Sequence, residues 1–182
     1  MKLVYIIHGY KASADHHWFG WLKNELGKRN ITAIILSMPN SENPLKDEWV
    51  SYLQKNIIIG RNTFIVAHSL GCIATLLFIN KTNAKIGGFI GVSGFDEKLK
   101  GMPDLDNFID NDIVYEKIIA NVSKRIVFAS PEDYIVPFQL SEKLAKDIKA
   151  PLISVPNAGH FMADDGYVSF PELLKEIKKI IE

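Results

Sequence analysis

The sequence predicts an α/β fold in which helices cover both faces of a mostly parallel sheet. Short β-branched and aromatic runs alternate with longer stretches of helical period, the pattern of successive strand–helix units. Several runs are apolar at consecutive positions, as strands covered on both faces should be. With 182 residues, 47% of them hydrophobic, the chain can bury one core but is too short for two ordinary domains. We therefore expect one domain over residues 1–182, a three-layer α/β/α sandwich.

Six short runs fit the strands of this sheet: residues 2–7, 31–36, 63–67, 86–92, 125–129 and 152–155. Three stripes with helical spacing fit core-facing helices, and they comprise Trp18, Trp21, Leu22 and Leu26, then Leu140, Leu144 and Ile148, and then Leu173, Leu174, Ile177, Ile180 and Ile181. Residues 94–112 read as a long irregular stretch, rich in Asp and Gly. A loop of this length fits either a functional segment or a solvated connection with a few anchoring hydrophobic residues.

The composition excludes several classes of partner. The 21 basic residues balance the 21 acidic ones, so we expect no attraction to nucleic acid or to an anionic membrane, and a small molecule is the expected partner. The single cysteine, Cys72, excludes an internal disulfide and suits a reducing compartment. The apolar run Leu3–Ile7 is too short for the core of a signal peptide. These features predict a cytoplasmic protein.

A strand–turn–helix segment surrounds Ser69. The strand at 63–67 runs directly into His68-Ser69-Leu70-Gly71, after which apolar residues recur with helical spacing. In the nucleophile elbow G-x-S-x-G the serine lies in a strained turn, and small residues two positions before and after it let the backbones pass closely. Here those residues are Ala67 and Gly71, so the first glycine is replaced. The segment also fits an ordinary helix with serine as its N-cap, and the pentapeptide alone leaves both interpretations open.

Asp133 and His160 are candidates for the two groups that a serine nucleophile needs. A serine hydroxyl requires a base, and a carboxylate must orient that base. In proteins with this elbow the acid and then the histidine follow the serine, each after a strand. Asp133 follows the fifth predicted strand and His160 the sixth. Glu132 is the rival acid, and Asp164 or Asp165 is a more distant one.

Acyl transfer also requires two donors for the oxygen that becomes negative. The backbone N–H of Leu70 directly follows the serine, and the N–H of Tyr10 lies in the loop after the first strand, where Gly9 permits a turn. The residues expected to line the pocket are Gly9, His68, Phe95 and Phe161.

Histidines raise a metal site as an alternative. His8, His16, His17 and His68 include two adjacent residues that follow the first predicted strand. Adjacent histidines at helical spacing point in different directions, and no H-x-H or H-x-x-x-H pair accompanies them. We therefore expect neither a metal nor another cofactor.

The chain as a whole resembles the small serine hydrolases that include retinoblastoma-binding protein nine and the YdeN-type proteins. The resemblance depends on His8-Gly9-Tyr10, His17-Trp18-Phe19 and Trp21-Leu22, then on Ala67-His68-Ser69-Leu70-Gly71, Asp133, Val136-Pro137 and Gly159-His160-Phe161. It implies a minimal α/β-hydrolase without a large cap, with strand order 2-1-3-4-5-6. It also implies that Ser69, Asp133 and His160 form a catalytic triad.

Two functions compete at this point. The first is a cofactor-free serine hydrolase that cleaves a carboxylic ester, or a small amide, through an acyl-enzyme. The second is a protein-binding module that keeps the fold and holds a partner through residues 94–112. A nucleotide-binding protein is disfavoured, because His8-Gly9-Tyr10 is not a G-x-G-x-x-G loop and no Walker lysine pattern is present.

Overall fold

A computed structural model describes residues 1–109 and 113–181. Within them six parallel strands form one sheet in the order β2-β1-β3-β4-β5-β6. The strands are β1 (Leu3–Ile7), β2 (Thr32–Leu36), β3 (Thr63–His68), β4 (Ile86–Val92), β5 (Val122–Ala129) and β6 (Leu152–Ser154). The predicted fold class and strand order are confirmed.

Helices cover both faces of the sheet, because side chains alternate along each strand. The helices are α1 (Phe19–Gly27), α2 (Lys46–Asn56), α3 (Leu70–Thr82), α4 (Tyr115–Asn121), α5 (Phe138–Asp147) and α6 (Pro171–Ile181). Tyr5 and Ile7 of β1 pack in the core beneath α2 to α5. Val4 and Ile6 pack in the opposite core beneath α1 and α6. The consecutive apolar residues of β1 thus serve two cores, as the sequence predicts.

The parallel arrangement brings the loops that follow the strands to one edge of the sheet. The loop after β1 contains Gly9, and Ser69 directly follows β3. Asp133 follows β5, and His160 follows β6. The strand order reverses between β1 and β3, so a crevice is expected at that edge.

Residues 94–112 differ from an ordinary solvated loop where the structure describes them. Residues 110–112 lie outside the described residues. In the remainder Phe95, Leu99, Leu105 and Phe108 are buried, and Pro103–Phe108 forms a 3-10 turn. The segment is therefore anchored over the sheet edge.

Strand β5 begins at Val122 rather than at the predicted residue 125, because α4 runs into it without a loop.

None of the helices in the described residues is long and apolar enough to cross a membrane.

Candidate active site

Ser69 occupies a strained turn between β3 and α3. Its backbone angles are φ 54° and ψ −123°, a region that costs energy for a residue with a side chain. It stands at the N-cap position of α3, yet its hydroxyl makes no capping hydrogen bond. A capping serine adopts an extended backbone and accepts from an amide in the first turn. The interpretation of Ser69 as an ordinary N-cap is therefore wrong, because its hydroxyl does not bind the backbone at the start of α3.

Two glycines let the backbone pass close to Ser69. A Cβ atom at Gly71 would lie 2.7 Å from the His8 carbonyl oxygen and 2.8 Å from that of Ile7. A Cβ atom at Gly9 would lie 2.9 Å from the Ser69 Cβ. The methyl group of Ala67, which replaces the first elbow glycine, packs in the core beneath α2 to α5. The turn therefore needs a glycine after the serine but has room for alanine before it.

Two backbone amides near Ser69 have no hydrogen-bond acceptor in the described part of the chain. Neither the Leu70 N–H nor the Tyr10 N–H donates a hydrogen bond to a described residue. Leu70 directly follows Ser69, and Tyr10 lines the same cavity as Ser69. Both predicted donors are thus available to a bound oxygen.

Asp133 holds the His160 ring. The Nδ1 atom of His160 lies 3.0 Å from Oδ1 and 2.9 Å from Oδ2 of Asp133, and the two side chains are 4% and 2% exposed. Oδ1 also accepts from the N–H groups of Ile135 and Val136, each at 2.9 Å. Oδ2 accepts from the Ser93 hydroxyl at 2.7 Å. Several donors therefore fix the carboxylate, which in turn orients the imidazole.

Ser93 is a site residue that the sequence reasoning missed. It directly follows β4, is fully buried and has a φ of 49°. A small polar residue at the end of a strand at this sheet edge was the available signal.

Of the rival carboxylates, Glu132 and Asp165 accept from backbone N–H groups instead of holding the His160 ring, and Asp164 lines a neighbouring surface depression. Glu132 accepts from the Asn157 N–H at 2.6 Å. Asp165 accepts from the backbone N–H of His160 at 2.9 Å and from that of Met162 at 3.0 Å. Among the described residues, Asp133 is the carboxylate in contact with the ring.

Ser69 and His160 line one cavity, although no hydrogen bond joins the Ser69 Oγ to His160. Catalytic hydrogen bonds are often long in unliganded sites and shorten when substrate binds. The cavity has a volume of about 60 Å³. Its lining residues are Gly9, Tyr10, Ala12, His17, His68, Ser69, Leu99, Met102, Leu105, Ile135, His160 and Met162. The apolar wall from Leu99, Met102 and Leu105 was not predicted, although the spacing of apolar residues through a polar stretch was a usable signal.

Gly9 and His68 line the cavity as expected, but Phe95 and Phe161 do not. Both phenylalanines are fully buried. Phe95 packs in the core beneath α2 to α5. Phe161 stacks on Phe170 in the opposite core, with ring centroids 5.2 Å apart. Their aromatic character reflects core packing rather than contact with a ligand.

Two buried histidines near the cavity act as neutral hydrogen-bonding groups. The His68 Nε2–H donates to the His160 carbonyl at 2.8 Å, and burial holds the pKa of His68 well below its usual value. The His8 Nδ1–H donates to the Gly9 carbonyl, and its Nε2 accepts from the Met38 N–H, each at 2.9 Å. Burial also lowers the pKa of His8. In the described part of the chain, no three His, Cys, Asp or Glu side chains form a group that could hold a metal ion.

A larger surface depression of about 920 Å³ lies between α1 and the start of β2. It is lined by residues between Trp21 and Ala33, at the opposite end of the strands from Ser69. None of its lining residues lines the cavity of Ser69.

The sequence relationships agree with this geometry. The model of the serine hydrolase family matches residues 4–179. The chain belongs to the serine hydrolase family. The protein YdeN of Bacillus subtilis strain 168 is 43% identical to this hydrolase over 173 residues, which are 93% of this chain and 91% of YdeN. Serine hydrolase RBBP9 of Rattus norvegicus is 24% identical over 170 residues, 92% of this chain and 88% of RBBP9.

Solved structures show the same fold. The crystal structure of the B. subtilis ydeN product superposes on this hydrolase with a TM-score of 0.94 at 41% identity, covering 99% of this chain and 98% of that one. Est1E of Butyrivibrio proteoclasticus gives a TM-score of 0.73 at 15% identity, covering 97% and 84% of the two chains. At that identity the likeness concerns the fold alone. The predicted resemblance to the small serine hydrolases is confirmed.

Proposed function

We propose that the protein is a cofactor-free, carboxylesterase-like enzyme that cleaves esters through an acyl-enzyme on Ser69. One observation supports the proposal most directly. Ser69, which has a strained backbone and a hydroxyl that does not cap the helix, lines the same cavity as His160, and the buried Asp133 carboxylate binds His160 Nδ1. A serine elbow facing a carboxylate-oriented imidazole is the arrangement used in acyl transfer.

In the first half-reaction His160 takes the proton of the Ser69 hydroxyl as the oxygen attacks the ester carbonyl. His160 then donates this proton to the departing alcohol. In the second half-reaction His160 takes a proton from water as the water oxygen attacks the acyl-enzyme carbonyl. His160 then returns this proton to the Ser69 oxygen as the bond to the acyl group breaks, which releases the acid and restores the enzyme. Asp133 keeps the imidazole oriented and stabilises its cationic form in both steps.

The amides of Leu70 and Tyr10 bind the oxygen that becomes negative in each tetrahedral intermediate. Loss of one such donor typically lowers turnover by about 100- to 1,000-fold. Because both are backbone groups without competing acceptors among the described residues, they need no rearrangement to act.

The cavity favours short, apolar acyl chains. Its volume is about 60 Å³, far below the roughly 300–1,000 Å³ of pockets that enclose drug-sized ligands. Leu99, Met102 and Leu105 give it an apolar wall. Esters of short acids are the proposed substrates, and small amides are a slower class. The single buried Cys72 suits a reducing compartment, and we place the activity in the cytoplasm.

The test is fluorophosphonate labelling together with a panel of p-nitrophenyl esters of increasing acyl length. We expect labelling of the folded protein, none of Ser69→Ala, and a kcat/KM that declines beyond short chains. His160→Ala should lose at least about 1,000-fold in kcat. Equal labelling of wild type and Ser69→Ala, with both folded, would contradict the proposal.

A protein-binding role for residues 94–112 is the second hypothesis. It predicts negligible ester turnover and a partner footprint on this segment in hydrogen exchange. The described part of the segment packs inward through Phe95 and Phe108 and contributes three side chains to the cavity. This use of the segment favours the enzyme hypothesis.

A further inference from the structure

A second depression adjoins the cavity of Ser69. It has a volume of about 300 Å³ and is lined by His16, His17, Ala163 and Asp164. His17 also lines the catalytic cavity, so the two spaces share one side chain. Three of its four lining residues, His16, His17 and Asp164, have polar side chains, whereas the catalytic cavity has the apolar wall contributed by residues 99–105.

One ring N–H of His17 has no hydrogen-bond acceptor among the described residues. Its Nδ1 accepts a hydrogen bond from the Ala163 N–H at 3.0 Å. Burial, together with nearby His16 and His160, lowers the pKa of His17 to about 4 despite Asp164 and Asp165, so the ring is neutral at physiological pH. A neutral ring that accepts at Nδ1 carries its proton on Nε2. No described residue accepts a hydrogen bond from Nε2.

The depression lies where a leaving group must go. His160 protonates the departing oxygen, so the leaving group must lie beside the loop that carries His160. Ala163 and Asp164 belong to that loop, and His17 follows β1. The apolar wall, in contrast, comes from the segment after β4.

We propose that His17 and Asp164 form a leaving-group subsite that selects esters of small, uncharged, hydroxylated alcohols. This proposal rests on the esterase function proposed above. A hydroxyl group both donates and accepts, so it can accept from the His17 Nε2–H and donate to the exposed Asp164 carboxylate. The same carboxylate disfavours anionic leaving groups.

The experiment compares glycerol 1-butyrate with n-propyl butyrate. The two esters share an acyl chain and differ by two hydroxyl groups on the leaving group. Each kcat/KM is divided by the rate of alkaline hydrolysis of the same ester, which removes intrinsic reactivity. With two additional hydrogen bonds to the leaving group, we expect the wild type to favour the glycerol ester by about tenfold or more.

His17→Asn and His17→Gln form a matched pair. Asparagine keeps an acceptor near the Nδ1 position for Ala163 and tolerates the positive φ of 54° at this residue, but it has no donor near the Nε2 position. Glutamine can place an amide N–H there. The preference for the glycerol ester should fall about fivefold in His17→Asn, as expected for the loss of one hydrogen bond. It should recover in part in His17→Gln. It should also fall in Asp164→Ala.

Two different results would overturn different claims. The subsite proposal is wrong if both esters are hydrolysed but the wild type does not prefer the glycerol ester. It is also wrong if His17→Asn and Asp164→Ala retain the wild-type preference. In both cases the esterase proposal still stands. If neither ester is hydrolysed and fluorophosphonate does not label Ser69, the esterase proposal fails and the subsite with it. Asp164 is exposed, so Asp164→Ala carries the test if a His17 variant does not fold.

Discussion

At the residue scale, two adjacent acidic side chains hold different parts of the site. The Asp133 carboxylate contacts the His160 ring, whereas the Glu132 carboxylate accepts from the Asn157 N–H and from the Ser130 hydroxyl. Because the two residues are neighbours in the chain, their positions in the sequence do not show which of them contacts His160. The direction of each side chain decides this.

Replacing each acid by its amide should separate their roles. Asp133→Asn is expected to lower kcat by about 10⁴-fold, because an amide favours the wrong tautomer of the histidine. Glu132→Gln should lower kcat by less than about tenfold, since it perturbs only loop hydrogen bonds of about 1 kcal/mol each. Steady-state hydrolysis of a p-nitrophenyl ester measures both. If Glu132→Gln lowered kcat more than Asp133→Asn does, Glu132 rather than Asp133 would be the acid that orients His160.

Ser93 is expected to position Asp133. Removing a hydrogen bond to a charged group costs about 1.5–3 kcal/mol, so Ser93→Gly should lower kcat by at least about tenfold with little change in KM. Glycine also tolerates the φ of 49° at this position, so this variant removes the hydroxyl without backbone strain.

Ser141→Ala is the control for Ser93. Ser141 is equally buried, and its hydroxyl donates to the Gly94 carbonyl at 2.6 Å rather than to Asp133. It should lower the melting temperature without lowering kcat. Equal losses of kcat in the two variants would show that Ser93 acts through stability alone.

At the element scale, the approach of α3 to the loop after β1 depends on Gly71. Gly71→Ala should destabilise the fold by about 3 kcal/mol, because the new methyl group meets two backbone carbonyls that cannot move independently. It should also reduce fluorophosphonate labelling, since the turn at Ser69 must shift. Urea unfolding and the labelling rate measure these effects.

Gly20→Ala provides the matched control. Gly20 is the second residue of α1 as Gly71 is of α3, but a Cβ atom there meets nothing within 4 Å. Alanine should stabilise this helix by up to about 1 kcal/mol. Similar destabilisation by both substitutions would show that the helix position, not the close approach, demands glycine.

The order of elements is the part of the fold that patterning predicts best. Apolar runs marked all six strands to within a few residues, because buried parallel strands are continuously hydrophobic. Helices α2 and α4 were not predicted. In α4 the buried residues are Ile118 and Asn121, too few for a stripe. In α2 the polar residues outnumber Trp49, Val50 and Leu53, which form a buried face through contacts with α3 and, for Trp49, with the His8 and Phe108 rings.

At the scale of the whole molecule, three histidines should make stability depend on pH. The pKa values of His8, His17 and His68 are all lowered in the folded chain from 6.5, that of His17 to about 4. Below pH 6.5 the unfolded chain therefore binds protons that the folded chain does not. Stability from these groups is complete above pH 6.5 and is lost as the pH falls toward 4.

Urea unfolding at pH 7.5 and at pH 5.5 should show this loss before most carboxylates titrate. His68→Gln should make the dependence shallower, because it removes one site of proton uptake. His16→Gln, at an exposed position, should change the dependence much less, because burial rather than His16 is the main cause of the lowered pKa values of His8 and His17. If all three proteins respond to pH alike, buried His68 does not contribute to the dependence.

The sequence by itself determined the fold class, the family and the identities of Ser69, Asp133 and His160 as candidates. The fold class and the three candidates follow from hydrophobic period and from the residues after each strand, which are local properties of the chain, whereas the family was indicated by the resemblance of several short motifs. Only the tertiary structure decided that the Ser69 hydroxyl is not a helix cap, that Asp133 rather than Glu132 meets the His160 ring, and that Phe95 and Phe161 belong to the cores. Those outcomes depend on backbone angles and side-chain directions, which are set by contacts between elements far apart in the chain.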